Sequence, residues 1–164
     1  MLTKYLIVFF VSMVPLIELR GAIPIAAGMG LTDSVPHIIA VFVTAIIGNM
    51  LPVPIIYLFA RKVLEWGKDK PVIGGFFTFC LEKGEKGGKK LEAKAGRGLF
   101  VALALFVGIP LPGTGAWTGT LAASILDMKF KETVIAAMAG VLLAGVIMMT
   151  VSLAGVSAFG VITG

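Results

Sequence analysis

Glu18 and Arg20 stand two residues apart in the string Pro15-Leu-Ile-Glu18-Leu-Arg20-Gly21-Ala-Ile-Pro24, inside a stretch that is otherwise apolar from Tyr5 to Leu31. A carboxyl in such a setting can exchange a proton. A guanidinium offers a planar fork of donors that matches phosphate or carboxylate. A second string, Gly108-Ile-Pro110-Leu-Pro112-Gly113-Thr114-Gly115-Ala-Trp117-Thr118-Gly119, adds hydroxyl donors, an indole and freely turning backbone. Glu18 and Arg20 are the only formal charges inside any of the long apolar segments. A charge at the centre of a bilayer costs roughly 2.5–3.5 kcal/mol on insertion scales, so such residues persist when paired or functional. Two residues apart on a regular helix they would not face each other. At a broken helical turn both can point into one cavity. The structural alternative is an ion pair that holds the turn closed.

Other chemistry is poorly supplied. Cys80 is the only cysteine and His37 the only histidine, so an internal disulfide and a histidine-based metal cluster are both excluded. No Ser/His/Asp set offers itself, no cofactor or metal is expected, and the chain does not read as an enzyme. Gly84-Glu85-Lys86-Gly87-Gly88-Lys89-Lys90 superficially resembles a phosphate-binding loop. It fails the required spacing and lacks the Ser/Thr after the Lys. It reads instead as a solvated loop resting on lipid headgroups, with no nucleic acid as partner.

The elements that must position Glu18 and Arg20 follow from composition. Of 164 residues, 58% are hydrophobic and only 14% charged, with a mean hydropathy of +1.02. A soluble domain carries about 25% charged residues. This chain could not cover a globular surface with solvated groups, which excludes a soluble enzyme and a disordered tail. The net charge of +5 lies entirely within residues 61–98, where ten Lys/Arg face five acids. The positive-inside rule makes this loop cytoplasmic, and so places a multi-pass chain in the plasma (inner) membrane among membrane lipids. Within the loop, Pro71–Leu81 carries Phe76, Phe77 and Phe79 and is too short to span, so it reads as an interfacial amphipathic piece beside Trp66.

Four apolar segments remain: Tyr5–Leu31, Val35–Ala60, Gly98–Leu126 and Thr133–Gly164. The second and fourth fit one tilted spanning helix each, at roughly 20 residues per crossing. The first and third carry helix breakers at their middle: Pro15, Gly21 and Pro24 in one, and Gly108, Pro110, Pro112, Gly113 and Gly115 in the other. Two half-helices that reach the midplane and return satisfy both length and breakers, provided that their tips are shielded and face each other. A shift of 94 residues lays Gly21-Ala22 on Gly115-Ala116 and Asp33 on Asp127. The fold class is therefore an all-α integral membrane protein, one membrane domain over 1–164. Repeat 1 (1–60) and repeat 2 (99–164) are inverted, each a re-entrant hairpin plus one transmembrane helix, joined by the basic loop 61–98. Lys129 and Lys131 then lie on the cytoplasmic side. The competing topology makes all four segments ordinary spans and puts those lysines outside. A cleaved signal peptide over 1–28 is opposed by Glu18, Arg20 and Pro24 lying between the apolar core and the cleavage site.

In this arrangement half-helices begin at the midplane near Gly21 and near Thr114 or Gly115. Their free amides, with Arg20 and the Thr114 and Thr118 hydroxyls, suit an anion, and Glu18 would act as a proton-linked switch. The candidate site is Glu18, Arg20, Gly21, Pro24, Pro110, Pro112, Gly113, Thr114, Gly115 and Trp117. Its substrate is a small anionic or lipid-linked molecule. The competing ligand is a lipophilic cation exchanged at Glu18, and a non-transport membrane scaffold is the third alternative. Ala136, Gly140 and Ala144 form a small-residue face that packs against the second segment or serves a homodimer. Asn49, Pro52 and Pro54 read as kink or packing residues of the second segment.

Both hairpin strings resemble the small multi-drug export proteins, over nearly the whole chain. The Glu-Leu-Arg-Gly-Ala-Ile-Pro string is its most specific element. That family is similar, more distantly, to the DedA-like membrane proteins. The resemblance implies two re-entrant loops that face each other. It also implies proton-coupled transport or flipping of lipids, in particular undecaprenyl phosphate. The DedA-like second hairpin carries an Arg-Phe-x-Pro-x-x-Arg pattern, whereas the stretch around Gly108 and Pro110 has no arginine.

Overall fold

The computed structural model describes residues 1–72, 74, 75, 78, 82 and 98–163. The Gly84–Lys90 stretch and Phe76, Phe77, Phe79 and Cys80 lie outside the described residues. Seven helices are followed here: α1 (Leu2–Met13), α2 (Glu18–Gly28), α3 (Val35–Met50), α4 (Pro52–Lys68), α5 (Gly98–Gly108), α6 (Ala116–Ile125) and α7 (Phe130–Thr163). No strand occurs among the described residues.

Prolines set the breaks. Pro15 lacks an N–H and restricts the residue before it, and Val14 is extended at φ −70°, ψ 129°, ending α1. Pro110 and Pro112 do the same after α5. Each broken segment folds back on itself. Lys4 Nζ at the start of α1 donates to the Met29 carbonyl just past α2, at 2.6 Å. Leu99 at the start of α5 lines one apolar cavity of about 170 Å³ with Leu126 and Met128 beyond α6. The longest of these four arms has 12 residues, about 18 Å of helix, against a hydrocarbon core of about 30 Å.

By contrast, α3 and α4 run as one kinked path. Leu51 keeps helical dihedrals and its N–H reaches the Ile47 carbonyl at 3.0 Å. The kink falls where Pro52 and Pro54 remove donors. Among the described residues, Val35–Lys68 and Phe130–Ala158 are the two stretches long and apolar enough to cross a membrane. The first starts beside Asp33, whose carboxylate is 2.6 Å from His37 Nδ1. That hydrogen bond holds the Asp33 carboxyl below its usual range. Near the other end Arg61 pairs with Asp127, and the Tyr57 hydroxyl donates to the Met128 carbonyl at 2.5 Å. The open ends of the two hairpins therefore lie at opposite ends of the α3–α4 path. The 127–132 turn shares its end with the start of the basic segment.

Packing exchanges partners between the halves. α1 lies on α3 and α5 on α7, whereas α2 crosses to α7 and α6 crosses to α4. Four boundaries or contacts differ from the sequence-based expectation. α2 starts at Glu18 rather than Gly21, because the Glu18 and Gly21 amides already bond the Val14 and Ile17 carbonyls at 3.0 Å. α4 continues to Lys68, so residues 61–68 are helical rather than loop, and Arg61 meets Glu65 one turn on at 3.5 Å. Within the small-residue face Gly140 packs on α5: a Cβ there would lie 2.6 Å from both the Ala104 carbonyl oxygen and Val107 Cβ, so only glycine allows this approach. The turns that close the two short helices also differ from the expected alignment. α2 closes with Leu31 N–H on Ala26 O and Gly30 N–H on Ala27 O, and α6 closes with Met128 N–H on Ala123 O and Asp127 N–H on Ser124 O. Gly30, rather than Asp33, thus holds after α2 the position that Asp127 holds after α6.

The first hairpin tip carries strain. Leu16 and Glu18 sit at φ 70° and 52°, in the left-handed region that costs an L side chain roughly 1–2 kcal/mol. Leu16 is 79% exposed and leaves nothing buried if removed. Leu16→Gly should therefore raise stability by about 1 kcal/mol in detergent denaturation, and a loss of stability would show that the side chain is packed rather than strained.

Candidate functional site

The two tips meet, and the charged residues of the first complete the backbone of the second. Glu18 is 97% buried by its 3% exposure. Its Oε2 accepts from the Ala116 N–H at 3.2 Å and its Oε1 from the Trp117 N–H at 3.0 Å. Those are free amides at the start of α6, where the helix dipole favours a negative charge. The carboxylate can reach them because residue 115 has no side chain. Gly115 adopts φ 144°, and a Cβ there would lie 2.7 Å from Glu18 Cδ.

Arg20 does the complementary job at the end of α5. Nη2 donates to the Val107 carbonyl at 2.8 Å and the Ile109 carbonyl at 3.2 Å. Nη1 donates to the Leu111 carbonyl at 2.8 Å, and to the carbonyl and hydroxyl of Thr114 at 2.9 Å each. Pro110 and Pro112 end α5 in a turn where the Leu111 N–H bonds the Ile109 carbonyl at 2.8 Å and not that of Val107, so the carbonyls here need one group with several donors. A guanidinium supplies them in a fixed fork. Residues two apart on α2 thus serve the two helix ends of the other hairpin, instead of pairing only with each other.

The remaining candidate residues fall into place around this junction. The Thr114 hydroxyl also donates to the Leu111 carbonyl at 2.9 Å, and the Thr118 hydroxyl to the Gly115 carbonyl at 3.5 Å. The Trp117 indole N–H donates to the Met13 carbonyl at 3.1 Å, tying α6 to the end of α1. The Trp117 ring lines an apolar groove of about 300 Å³ between α4 and α6, with Phe59, Val63 and Leu121. Pro110, Pro112 and Gly113 form the turn that Arg20 binds, with Gly113 at φ 80°. Gly21 packs against Ile17. Pro24 sits on the exposed face of α2 and leaves the Arg20 carbonyl without its helical donor.

The Nη groups of Arg20 and the first amides of α6 are therefore already engaged by the chain, and the anion on those amides is Glu18. The backbone carbonyls of Val107, Ile109, Leu111 and Thr114 were not singled out as partners from sequence; their signal was the proline pair. Among the described residues no cluster of His, Cys, Asp and Glu could hold a metal.

Two variants separate these roles. Gly115→Ala should drive the Glu18 carboxylate off the α6 amides and destabilise the fold by about 1–3 kcal/mol, the cost of unmaking charge-assisted bonds; an unchanged melting temperature would contradict the contact. Arg20→Lys keeps the charge but has one nitrogen for four carbonyls, and should lose a similar amount, whereas full retention would show that charge alone suffices.

The sequence pattern of one family matches residues 18–147, which begins at Glu18, takes in Arg20 and the second tip, and ends within α7. No curated protein and no solved structure matches the chain. With most of its length and both Glu18 and Arg20 inside that match, the chain belongs to the family described as "Putative small multi-drug export protein".

Proposed function

We propose that this membrane protein is a proton-coupled transporter of amphiphiles with an anionic head, of which a polyprenyl phosphate is one example. One observation carries the reading: a helix N-terminus suited to bind an anion is occupied by the chain's own buried carboxylate. A proton on Glu18 weakens its hold on the Ala116 and Trp117 amides. Those two amides are then available to a phosphate or carboxylate head, with Arg20 close by. Loss of the proton restores the Glu18 contact and expels the head. Binding of substrate and binding of a proton are linked because both compete against one contact.

The apolar groove beside Trp117 supports a lipid-like tail, since it runs along α4 and α6 from the indole whose backbone amide holds Glu18. We read the two hairpins as re-entrant, entering the bilayer from opposite faces as an inverted repeat. The pairing of Arg61 with Asp127, which draws the 127–132 turn to the end where the basic segment begins, supports this. The same rule for basic residues favours a cytoplasmic position for that end in the plasma membrane.

The family's description favours a second reading, export of drugs, with a lipophilic cation taken up at Glu18. Liposomes separate the two. With the purified chain reconstituted under a pH gradient, a polyprenyl phosphate and an anionic amphiphile should move, and Glu18→Gln should abolish the dependence on the gradient. Proton-driven movement of lipophilic cations alone, lost in Glu18→Gln, would establish the drug reading instead. Labelling of Lys129→Cys in Cys80→Ser protein should be blocked from outside intact cells, and external labelling would overturn the re-entrant topology.

A further inference from the structure

We infer that Asn49 and Thr120 form a buried site for water at the level of the hairpin tips, and that this site carries protons to Glu18. Both residues are fully buried. Neither the Asn49 amide nitrogen and oxygen nor the Thr120 hydroxyl has a hydrogen-bond partner among the described residues. The contrast with their neighbours is informative. Thr133 and Thr150 return their hydroxyls to the carbonyl four residues back, at 3.0 and 2.8 Å. Thr120 sits mid-helix with the same option at Ala116 and does not take it. Buried polar groups in apolar surroundings are satisfied by protein or by ordered water, which makes about three hydrogen bonds where several such groups converge.

Register brings the two residues within one helical turn of each other. Arg61 pairs with Asp127, and the Ser124 hydroxyl reaches the Tyr57 carbonyl at 3.5 Å, so α4 and α6 run side by side in the same direction. One turn back, Val53 lies level with Thr120. A further turn back along the α3–α4 path, Asn49 lies level with Ala116, whose amide holds Glu18. The opposite side of α3 gives the same level: a Cβ at Gly48 would meet Ser12 and the Phe9 carbonyl, and the next residue after Ser12, Met13, holds the Trp117 indole. The Nε of Arg20, also buried and unpartnered among the described residues, belongs to the same junction. Asn can both donate and accept, and so can a threonine hydroxyl, which is what a chain of water molecules passing a proton needs at its walls. A polar residue retained at this depth in an apolar bundle marks a path for protons or ions.

The proton-delivery half of this inference rests on the transport reading above; the water half does not, and the test keeps them apart. X-ray radiolysis in ¹⁸O-labelled water marks side chains next to bound water. Met50, adjacent to Asn49 in sequence and only 9% exposed, is the reporter. Met50 should acquire the label in the wild type and lose it about fivefold in Thr120→Val and in Asn49→Leu, because the isosteric apolar side chains remove the wall of the water site. Both variants should melt no lower than the wild type, since a buried polar group without a protein partner is replaced by a matched apolar one. Equal labelling in all three proteins, or lowered melting with unchanged labelling, overturns the water site. In liposomes Thr120→Val should slow proton uptake about tenfold while Thr120→Ser retains it. Lost labelling with unchanged proton uptake overturns the relay. If the wild type moves none of the substrates tested, the transport reading fails while the labelling result still decides the water site.

Discussion

The structure depends on one exchange of backbone caps. A hairpin of two helices leaves free amides at one helix start and free carbonyls at one helix end, and both need partners. In this protein the first hairpin supplies both remedies to the second: Glu18 takes the amides of α6 and Arg20 takes the carbonyls around the end of α5. The two charges cancel in sum while each serves a separate chain end. Removing either leaves an uncompensated partner as well as a bare helix end, which is why neither can be read as an optional ion pair. The crossing of α2 onto α7 and of α6 onto α4 then follows, since the tips can meet only if each second arm leans into the other half.

In the proposed function this contact is the switch: the site is closed while the Glu18 carboxylate occupies the α6 amides, and a proton on that carboxylate is the opening step. The groove beside Trp117 is lined by α4 and α6 next to this contact rather than at a remote surface.

Much of the layout was legible because it rests on local chemistry. Pro15, Pro110 and Pro112 break helices by lacking an N–H, and Val14 takes the extended backbone that a following proline imposes. Two half-length helices per broken segment follow from counting residues against a bilayer. Long-range partners were not legible: Glu18 bonds residues 98 and 99 positions away, and nothing local announces them. The expectation that Arg20 and the α6 amides would face a ligand missed that the chain's own Glu18 competes for the same donors. The start of α2 was misplaced by the glycine at 21, since a strained Glu18 begins the helix earlier. α4 outran its apolar stretch because Arg61 finds Glu65 on the helix and Asp127 across it. Asn49 read as a kink residue, and only its burial without a partner separates it from one.

The most direct test of this account is amide hydrogen exchange at Ala116 and Trp117. Free amides at a helix start exchange quickly, whereas amides held by a buried carboxylate do not. Slow exchange at both positions in the wild type, released by Glu18→Gln while the interior of α6 stays protected, is the predicted result. Rapid exchange at both positions in the unaltered protein would contradict the cap on which the junction and the proposed transport cycle rest.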